Sequence, residues 1–341
     1  MSEDTMRALV LEEFGADMVP TVLPRPVPGP GEVLVGILAS GVNPLDTKIR
    51  AGSAGHAQVT TPAVLGIDLA GVVVATGSGG TGFEVGDEVY GMTGGVGGHQ
   101  GSLAEYAAVD ARLLAPKPIS LSMVAAAALP LAVITAWEGL VDRARVGPGD
   151  VVLVQGGAGG VGHIAIQIAR AHGATVYATG SPASAAAIEQ AGAVPIDRTT
   201  TTAAAYVDEA TGGAGFDVVF DTVGGSTLDD SFTLVRPYTG HVVSILGWGT
   251  HSLAPLSFRG ASYSGVFTLL PLLTGKGREH HGEILRSAAA LVDAGQLEPR
   301  LSGETFDWST ANDAHRRVES ARQPGKVVID LERAEHPVTH P

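Results

Sequence analysis

The stretch VVLVQGGAGGVG, residues 151–162, decides how this chain is read. Its first four residues are apolar and mostly β-branched, the mark of a buried strand, and they run directly into a glycine cluster that opens an apolar helix from Val161. Gly157, Gly159 and Gly162 stand at the spacing G-x-G-x-x-G, with Ala158, Gly160 and Val161 between them. The first glycine permits a tight turn, the second lets backbone N–H groups approach a pyrophosphate, and the third lets the helix pack on the strand. A bare G-x-G-x-x-G means little in a chain with 47 glycines. The strand before it and the helix after it supply the context of a dinucleotide site.

Downstream, strand and helix alternate. Strands are predicted over 151–154, 175–179, 194–196, 217–221 and 241–246, separated by helices over 161–172, 183–191, 203–211 and 227–234. Such alternation demands a parallel sheet with right-handed crossovers. Upstream, RALVLEEFG, VPTVLPRPVPGPGEVLVGILASGVN, PAVLGIDLAGVVVATG, FEVGDEVYGM and GSLAEYAAV alternate short apolar runs with Pro and Gly, the texture of an all-β region. An alanine-rich stretch from residue 122 leads through Pro130 into ITAWEGLVDRARV, which has helical spacing. Helices over 283–294 and near 309–321 and a strand in GKVVIDL close the chain. The predicted architecture is α/β, a doubly wound parallel-sheet domain inserted in a β-rich one. Its expected divisions are 1–130 for the β-rich domain, 131–272 for the nucleotide-binding domain, 273–333 for the return to the first, and 334–341 for a polar tail.

Composition narrows the function. The balance of 21 basic against 35 acidic residues, a net charge of -14, gives a nucleic-acid partner no electrostatic footprint. With no cysteine, disulfides, iron–sulfur clusters, thiolate nucleophiles and cysteine-ligated zinc are excluded, and a reducing cytoplasm fits. The N-terminus carries acids where a signal peptide has a basic patch. Residues 119–137 are uncharged, but hydroxyl residues and Pro130 interrupt them, so a buried segment is expected there and no membrane partner.

Taken in order, PGPGEVLV, ASGVNPLDTKIRAG, PAVLGIDLAGVVVATG, FEVGDEVYG, GSLAEYAAV, AALPLAVITAWEGL, GGAGGVG, GFDVVFDTVGG and GKVVIDL resemble the medium-chain dehydrogenase/reductase superfamily. The resemblance spans nearly the whole chain and points to the zinc-independent quinone oxidoreductase, or zeta-crystallin-like, branch. It implies a GroES-like N-terminal domain, a Rossmann cofactor domain, a cleft between them, and a homodimer formed through an edge strand of the Rossmann sheet. The apolar SYSGVFTLLPLL, residues 262–273, is the candidate edge. Zinc-dependent relatives place a Cys where Asn43 stands and a His where Ile67 precedes Asp68, so no metal is expected. Without a Lewis acid, alcohol oxidation is disfavoured. Quinones and α,β-unsaturated carbonyls escape that need, because hydride addition gives a delocalised oxyanion that donors or water can support and protonate.

An NAD site usually carries an acid at the end of the second strand to bind the ribose diol. Here that place falls in TGSPAS, and no acid lies between Asp150 and Glu189. NADPH is therefore the expected cofactor. Ser181, Ser184 and Arg198 are candidates for its 2′-phosphate, with Arg198 equally readable as an exposed loop arginine. Val223 in DTVGG, Ser244, Leu246 and Gly247 in SILGW, and Lys326 are further cofactor candidates at or near strand ends. The resemblance assigns Asn43 and Asp46 to the neighbourhood of the nicotinamide, although both are also strong turn formers. It places Thr135 beside the nicotinamide amide. Lys48 stands where several relatives carry a tyrosine; it is a proton donor if burial lowers its pKa, and a solvated lysine otherwise. The glycine-rich 92–101 reads as a flexible wall of the substrate cleft. The function expected is NADPH-dependent, zinc-independent reduction of quinones or α,β-unsaturated carbonyls. An enoyl-thioester reductase and a non-catalytic NADPH-binding protein are the alternatives.

Overall fold

Short apolar segments broken by Pro and Gly form the first strands: β1 Thr5–Leu11, β2 Val19–Pro24, β3 Glu32–Val42, β4 Ala63–Val64, β5 Asp68–Thr76, β6 Glu88–Met92, β7 Tyr106–Asp110 and β8 Leu114–Pro116. Helix α1, Pro44–Arg50, follows β3, and α2, Met123–Ala127, precedes α3, Pro130–Trp137. The computed structural model describes residues 4–320 and 325–332. It divides into two units. The first takes the chain up to Leu131, Leu269–Asp293 and the part from Pro299; the second takes Ala132–Thr268 and Ala294–Glu298.

The second unit is the alternating region. Its strands are β9 Val151–Gln155, β10 Thr175–Gly180, β11 Val194–Asp197, β12 Val218–Asp221, β13 His241–Ser244 and β14 Ser262–Gly265. Its helices after α3 are α4 Gly162–Ala171, α5 Ala185–Ala191, α6 Ala203–Thr211, α7 Ser226–Leu234 and α8 Ala254–Arg259. The strands form one parallel sheet in the order β11-β10-β9-β12-β13-β14, with β9 in the middle. This is the order of a Rossmann fold, whose switch point lies at β9 and β12. Val152, Leu153 and Val154 are fully buried, as a central parallel strand covered on both faces must be.

In the first unit, β15, Val327–Asp330, returns after α9 Leu270–Thr274, α10 Arg278–Asp293 and α11 Ala311–Glu319. It joins an antiparallel six-stranded sheet in which β15, β3, β5, β6 and β8 are successive neighbours and β7 pairs with β3. A second, three-stranded sheet runs β2-β1-β4. Together these are the GroES-like part of an α/β fold with two kinds of sheet. Register does the positioning: Val327 pairs with Val42, and Gly41 with Asp68, so the ends of β15, β3 and β5 meet. Gly41 is required there, because a Cβ would lie 2.2 Å from the Ala127 carbonyl oxygen of α2.

Three segments depart from the sequence reading. Strand β13 stops at Ser244 rather than residue 246, because the Leu246 N–H turns back to the Ser244 hydroxyl. The helix predicted through ITAWEGLVDRARV changes to π-type winding over Glu138–Arg143, where Gly139 lies so close to Phe220 that a Cβ would meet its ring at 2.3 Å. Of residues 262–273 only β14 is a strand, at the sheet's edge; Pro271 instead opens α9, where a missing N–H costs nothing. The tail expected over 334–341 lies outside the described residues. Among the described residues, no helix is long and apolar enough to cross a membrane.

Candidate cofactor site and active site

The glycine turn follows β9 directly. The left-handed residue is Gly156, at φ 78°, so it makes the tight turn that the sequence reading gave to Gly157. Gly157 is needed for another reason, since a Cβ there would come within 2.5 Å of the Ala178 Cβ. Gly162 opens α4 against the turn, where a Cβ would lie 2.2 Å from the Gly156 carbonyl oxygen. Gly159 and Gly160 are exposed, and a Cβ on Gly160 would meet nothing within 4 Å. Ala158 and Val161 are half-buried between them. The arrangement leaves open space at Gly160 before the N-terminus of a ten-residue helix, where the His163 N–H bonds the Gly159 carbonyl at 3.1 Å. A dinucleotide pyrophosphate fits this cradle.

Polar residues that the sequence reading missed hold the turn. The Thr179 hydroxyl donates to Gln155 Oε1 at 2.7 Å and accepts the Gly156 N–H at 3.1 Å, and the Gly157 N–H reaches the Thr179 carbonyl at 2.9 Å. The Thr222 hydroxyl donates to the Gln155 carbonyl at 2.6 Å. At the next strand end, fully buried Asp221 accepts the N–H groups of Val223 and Gly224 and the Ser244 hydroxyl, the last at 2.7 Å. The signal for both networks was a single polar residue ending an apolar strand: Gln in VVLVQ, Asp in VVFD. Val223 is left exposed beside this network, Leu246 half-buried and Gly247 exposed. Trp248 is 56% exposed and packs edge-on against Phe267, so it is not core.

Beyond β10, Ser181 and Ser184 form a short capping turn. The Ser181 N–H reaches Ser184 Oγ at 2.9 Å, and the Ser184 hydroxyl donates to the Ser181 carbonyl at 2.8 Å. The Arg198 N–H bonds the Gly180 carbonyl at 3.1 Å, which brings this exposed arginine's backbone to the end of β10. An acid that the sequence reading passed over is also there: Asp197 ends β11 opposite Gly180. Its carboxylate accepts the Thr199 N–H and the Thr199 and Thr200 hydroxyls, which hold its pKa below the usual carboxylate range.

In the first unit, the meeting strand ends build a buried polar cluster. Asn43 closes β3 and caps α1, Asp68 opens β5, and Lys326 precedes β15. Asn43 Nδ2 donates to Asp68 Oδ2 at 2.9 Å, and Lys326 Nζ donates to Asn43 Oδ1 and, at 3.2 Å, to Asp68 Oδ2. Asp68 Oδ1 accepts the Leu131 N–H at 2.9 Å. Burial pushes the Asp68 carboxyl up from its ordinary value, opposed by the Lys326 ammonium. Lys326, a cofactor candidate in the sequence, has its ammonium engaged inside this cluster. Lys48 is exposed on α1, so the burial its catalytic reading requires is missing. Thr135 is buried on α3 in the second unit. The 92–101 loop is packed rather than loose: residues 92–96 are buried, the Gly97 N–H bonds the Ala57 carbonyl at 2.9 Å, and the His99 ring meets the Arg278 guanidinium at 2.9 Å.

Asp46 completes the cluster. Its Oδ2 accepts the Asn43 N–H at 2.8 Å, while among the described residues its buried Oδ1 has no partner. Burial, reinforced by the Asp68 charge, raises its pKa from 3.8 to about 7. A carboxyl whose folded pKa lies above its unfolded one binds its proton more tightly when folded. Stability from this group is therefore intact below about pH 4 and is lost progressively as pH rises from there through about 7, by on the order of 4 kcal/mol. Asp46→Asn keeps an acceptor for the Asn43 N–H and removes the titration. Its thermal midpoint is expected to exceed wild type at pH 8 and to converge with it only near pH 4. Parallel melting curves for the two proteins across that range would assign the titration elsewhere.

The glycine cradle on a β11-β10-β9-β12-β13-β14 parallel sheet defines a dinucleotide-binding oxidoreductase fold. Residues 29–119 match the family described as alcohol dehydrogenase GroES-like domain, and residues 191–329 the family described as zinc-binding dehydrogenase. The chain is 36% identical over 311 residues to 2-methylene-furan-3-one reductase of Solanum lycopersicum, covering 87% of this chain and 71% of that protein. It is 35% identical over 306 residues to the chloroplastic NADPH-dependent alkenal/one oxidoreductase of Arabidopsis thaliana, covering 87% and 72%. It also matches the spectinabilin polyketide synthase system protein NorB of Streptomyces orinoci at 33% identity, over 89% of this chain but only 13% of that protein. The crystal structure of an alcohol dehydrogenase superfamily protein from Novosphingobium aromaticivorans superposes with a TM-score of 0.94 at 56% identity, covering 96% of this chain and all of that one.

The chain belongs to the medium-chain dehydrogenase/reductase superfamily, in its zinc-independent quinone and enone oxidoreductase branch, and has its NAD(P)-binding fold. Zinc does not fit the residues present. The chain has no cysteine, Ile67 is apolar and fully buried, and the oxygens of Asn43 and Asp68 already hold the Lys326 ammonium.

Proposed function

We infer that this protein is an NADPH-dependent reductase of quinones or α,β-unsaturated carbonyls that works without zinc. The observation that carries this reading is the Lys326 ammonium seated on Asn43 and Asp68. With no Lewis acid to hold an alkoxide, the reaction suits acceptors whose hydride adduct is a delocalised oxyanion. The nicotinamide, when bound, supplies the hydride. The second unit's part is to hold the pyrophosphate at the turn from Gly157 to Gly162 and to fit the rest of the cofactor against Val223, Ser244, Leu246 and Gly247, with Thr135 as its further candidate; Asn43 and Asp46 are the first unit's candidates, as the family resemblance implies. Initial rates of NADPH consumption with an ortho-quinone, a para-quinone, 3-penten-2-one and crotonyl-CoA test the reading. Turnover of the quinones or the enone supports it. Turnover of the thioester alone makes the protein an enoyl-thioester reductase, and tight NADPH binding with no turnover makes it a binding protein.

The choice of NADPH over NADH rests on the absence of an acid at the end of β10 and on the engagement of Asp197 by its own loop. The name of the Arabidopsis relative agrees. Arg198, with Ser181 and Ser184 framing the turn, is the proposed partner of the 2′-phosphate. Arg198→Ala is expected to raise the Kd for NADPH about fivefold, as loss of an exposed charge-assisted contact should, and to leave that for NADH within a factor of two. Equal effects on both, read by fluorescence titration, would remove Arg198 from the site.

The proposed assembly is a homodimer through the free edge of β14, where Tyr263 is 38% exposed. A monomeric mass in solution at micromolar concentration contradicts it. The absence of cysteine agrees with a reducing, cytoplasmic setting, and the net charge of -14 with small-molecule rather than nucleic-acid partners.

A further inference from the structure

Beyond β10, the hydrogen bonds of a single carboxylate bear on which cofactor the second unit takes. In a parallel sheet of this order, the adenosine ribose lies at the carboxyl end of the second strand, where an acid selects the free diol of NADH. Here β10 ends in Gly180, where a side chain would collide: a Cβ would lie 2.6 Å from Cδ1 of the fully buried Ile188 and closer still to Ser184 Oγ. The carboxylate at that strand end comes instead from the neighbouring strand. Asp197 of β11 pairs with Gly180 in the parallel register, and the Arg198 N–H bonds the Gly180 carbonyl at 3.1 Å. This carboxylate is turned onto its own loop. Asp197 Oδ1 accepts the Thr199 N–H at 2.9 Å and the Thr199 hydroxyl at 2.6 Å, and Oδ2 accepts the Thr200 hydroxyl at 2.8 Å. Three donors thus occupy a group with about four acceptor positions.

We propose that Thr199 and Thr200 are specificity-determining residues for the cofactor: by holding the Asp197 carboxylate within the 197–200 turn, they withhold it from the ribose diol of NADH and keep it off the 2′-phosphate of NADPH. The proposal rests on the NADPH reading and names the residues that enforce it. A carboxylate released at this strand end acts on the two cofactors with opposite signs. It accepts O–H bonds from the 2′- and 3′-hydroxyls of NADH, and these are charge-assisted. It repels the 2′-phosphate of NADPH, which carries charge of the same sign. The two threonine hydroxyls suppress both effects at once, because a carboxylate oxygen engaged by its own loop neither reaches outward nor needs a further donor. A residue that only stiffened the loop would instead help both cofactors alike.

That difference of sign sets the test. Thr199→Val and Thr200→Val keep the shape of each side chain and remove its hydroxyl. Both residues are exposed, and the Thr199 N–H remains to Asp197, so the double variant is expected to fold as wild type does. Read by fluorescence titration, its Kd for NADH is expected to fall about fivefold and its Kd for NADPH to rise about fivefold, a change of roughly 25-fold in preference. Adding Asp197→Asn to the double variant removes the released charge and is expected to bring the Kd for NADPH back to within about twofold of wild type. A fraction of unfolded protein lowers the signal for both cofactors equally, so the ratio of the two Kd values stays informative. Changes of the same direction for both cofactors, no change for either, or an Asp197→Asn addition that restores nothing would overturn the proposal while leaving the reductase reading intact. A wild-type protein that binds NADH as tightly as NADPH would instead overturn the cofactor choice on which it rests.

Discussion

Replacing Lys326 with methionine is expected to destabilise the first unit by about 3–5 kcal/mol, the cost of stranding a buried charge without its partner. Asp68 is fully buried, and the ammonium is the only cation recorded against its carboxylate among the described residues. The backbone N–H of Leu131 and the amide of Asn43 remain as donors, but neither carries charge. Methionine matches the aliphatic stem of lysine, so lost packing contributes little. A second change, Asp68→Asn, removes the stranded charge and is expected to recover more than half of the loss, despite leaving the Leu131 N–H with a poorer partner. Urea denaturation of wild type, both single variants and the double variant gives the cycle. A Lys326→Met protein within about 1 kcal/mol of wild type would mean that the pair is solvated and that the cluster is not the rigid element described here.

The second large effect concerns the glycine turn. Gly162→Ala puts a Cβ 2.2 Å from the Gly156 carbonyl oxygen, a backbone atom fixed by the bonds of Gly156 and Gly157 to Thr179. Neither side can yield cheaply, so α4 has to withdraw from the turn. The helix N-terminus then moves off the cradle, and NADPH affinity is expected to fall by at least about 100-fold, equivalent to some 2.7 kcal/mol of binding energy. The overpacking itself is expected to lower stability by about 1–3 kcal/mol. Gly160→Ala is the informative comparison, because open space surrounds that position. Its stability is expected to stay within about 0.5 kcal/mol of wild type. Fluorescence titration with NADPH and urea denaturation read both quantities; a Gly162→Ala protein that binds NADPH normally would show that the turn is not where the cofactor sits.

The two sites differed in how much of them the sequence made legible. The second unit was readable because parallel strands buried on both faces are continuous apolar runs, and because glycines forced by close approach recur at a fixed spacing. Even there, the division of labour among the glycines was not visible: Gly156 takes the left-handed turn, while Gly157 is constrained by Ala178. Sequence spacing records that a side chain is excluded, but not what excludes it. The π-type winding at Glu138–Arg143 was hidden for a similar reason, since its contact partner Phe220 lies far along the chain.

In the first unit, Asn43 and Asp46 stood out because they fall together in one turn-forming piece. The importance of Lys326 did not, because it reaches Asn43 only through the pairing of β15 with β3, a contact spanning 283 residues. Sequence reasoning therefore weighed Lys48, five residues from Asn43, as the catalytic lysine. Folding leaves Lys48 exposed, in keeping with its reading as a solvated lysine, and Lys326 buried. Asp197 was missed beside the end of β10 for the same cause, since adjacency of β11 to β10 is a property of the sheet.

The central claim is that NADPH reduces a conjugated carbonyl or quinone here without a metal ion. The most direct measurement is the initial rate of NADPH oxidation with 3-penten-2-one and with 9,10-phenanthrenequinone, before and after exhaustive dialysis against 1,10-phenanthroline. The account predicts turnover of at least one acceptor, one NADPH consumed per acceptor reduced, and rates unchanged by the chelator. Loss of activity on chelation with recovery on adding zinc, or the absence of turnover with either acceptor, would contradict it.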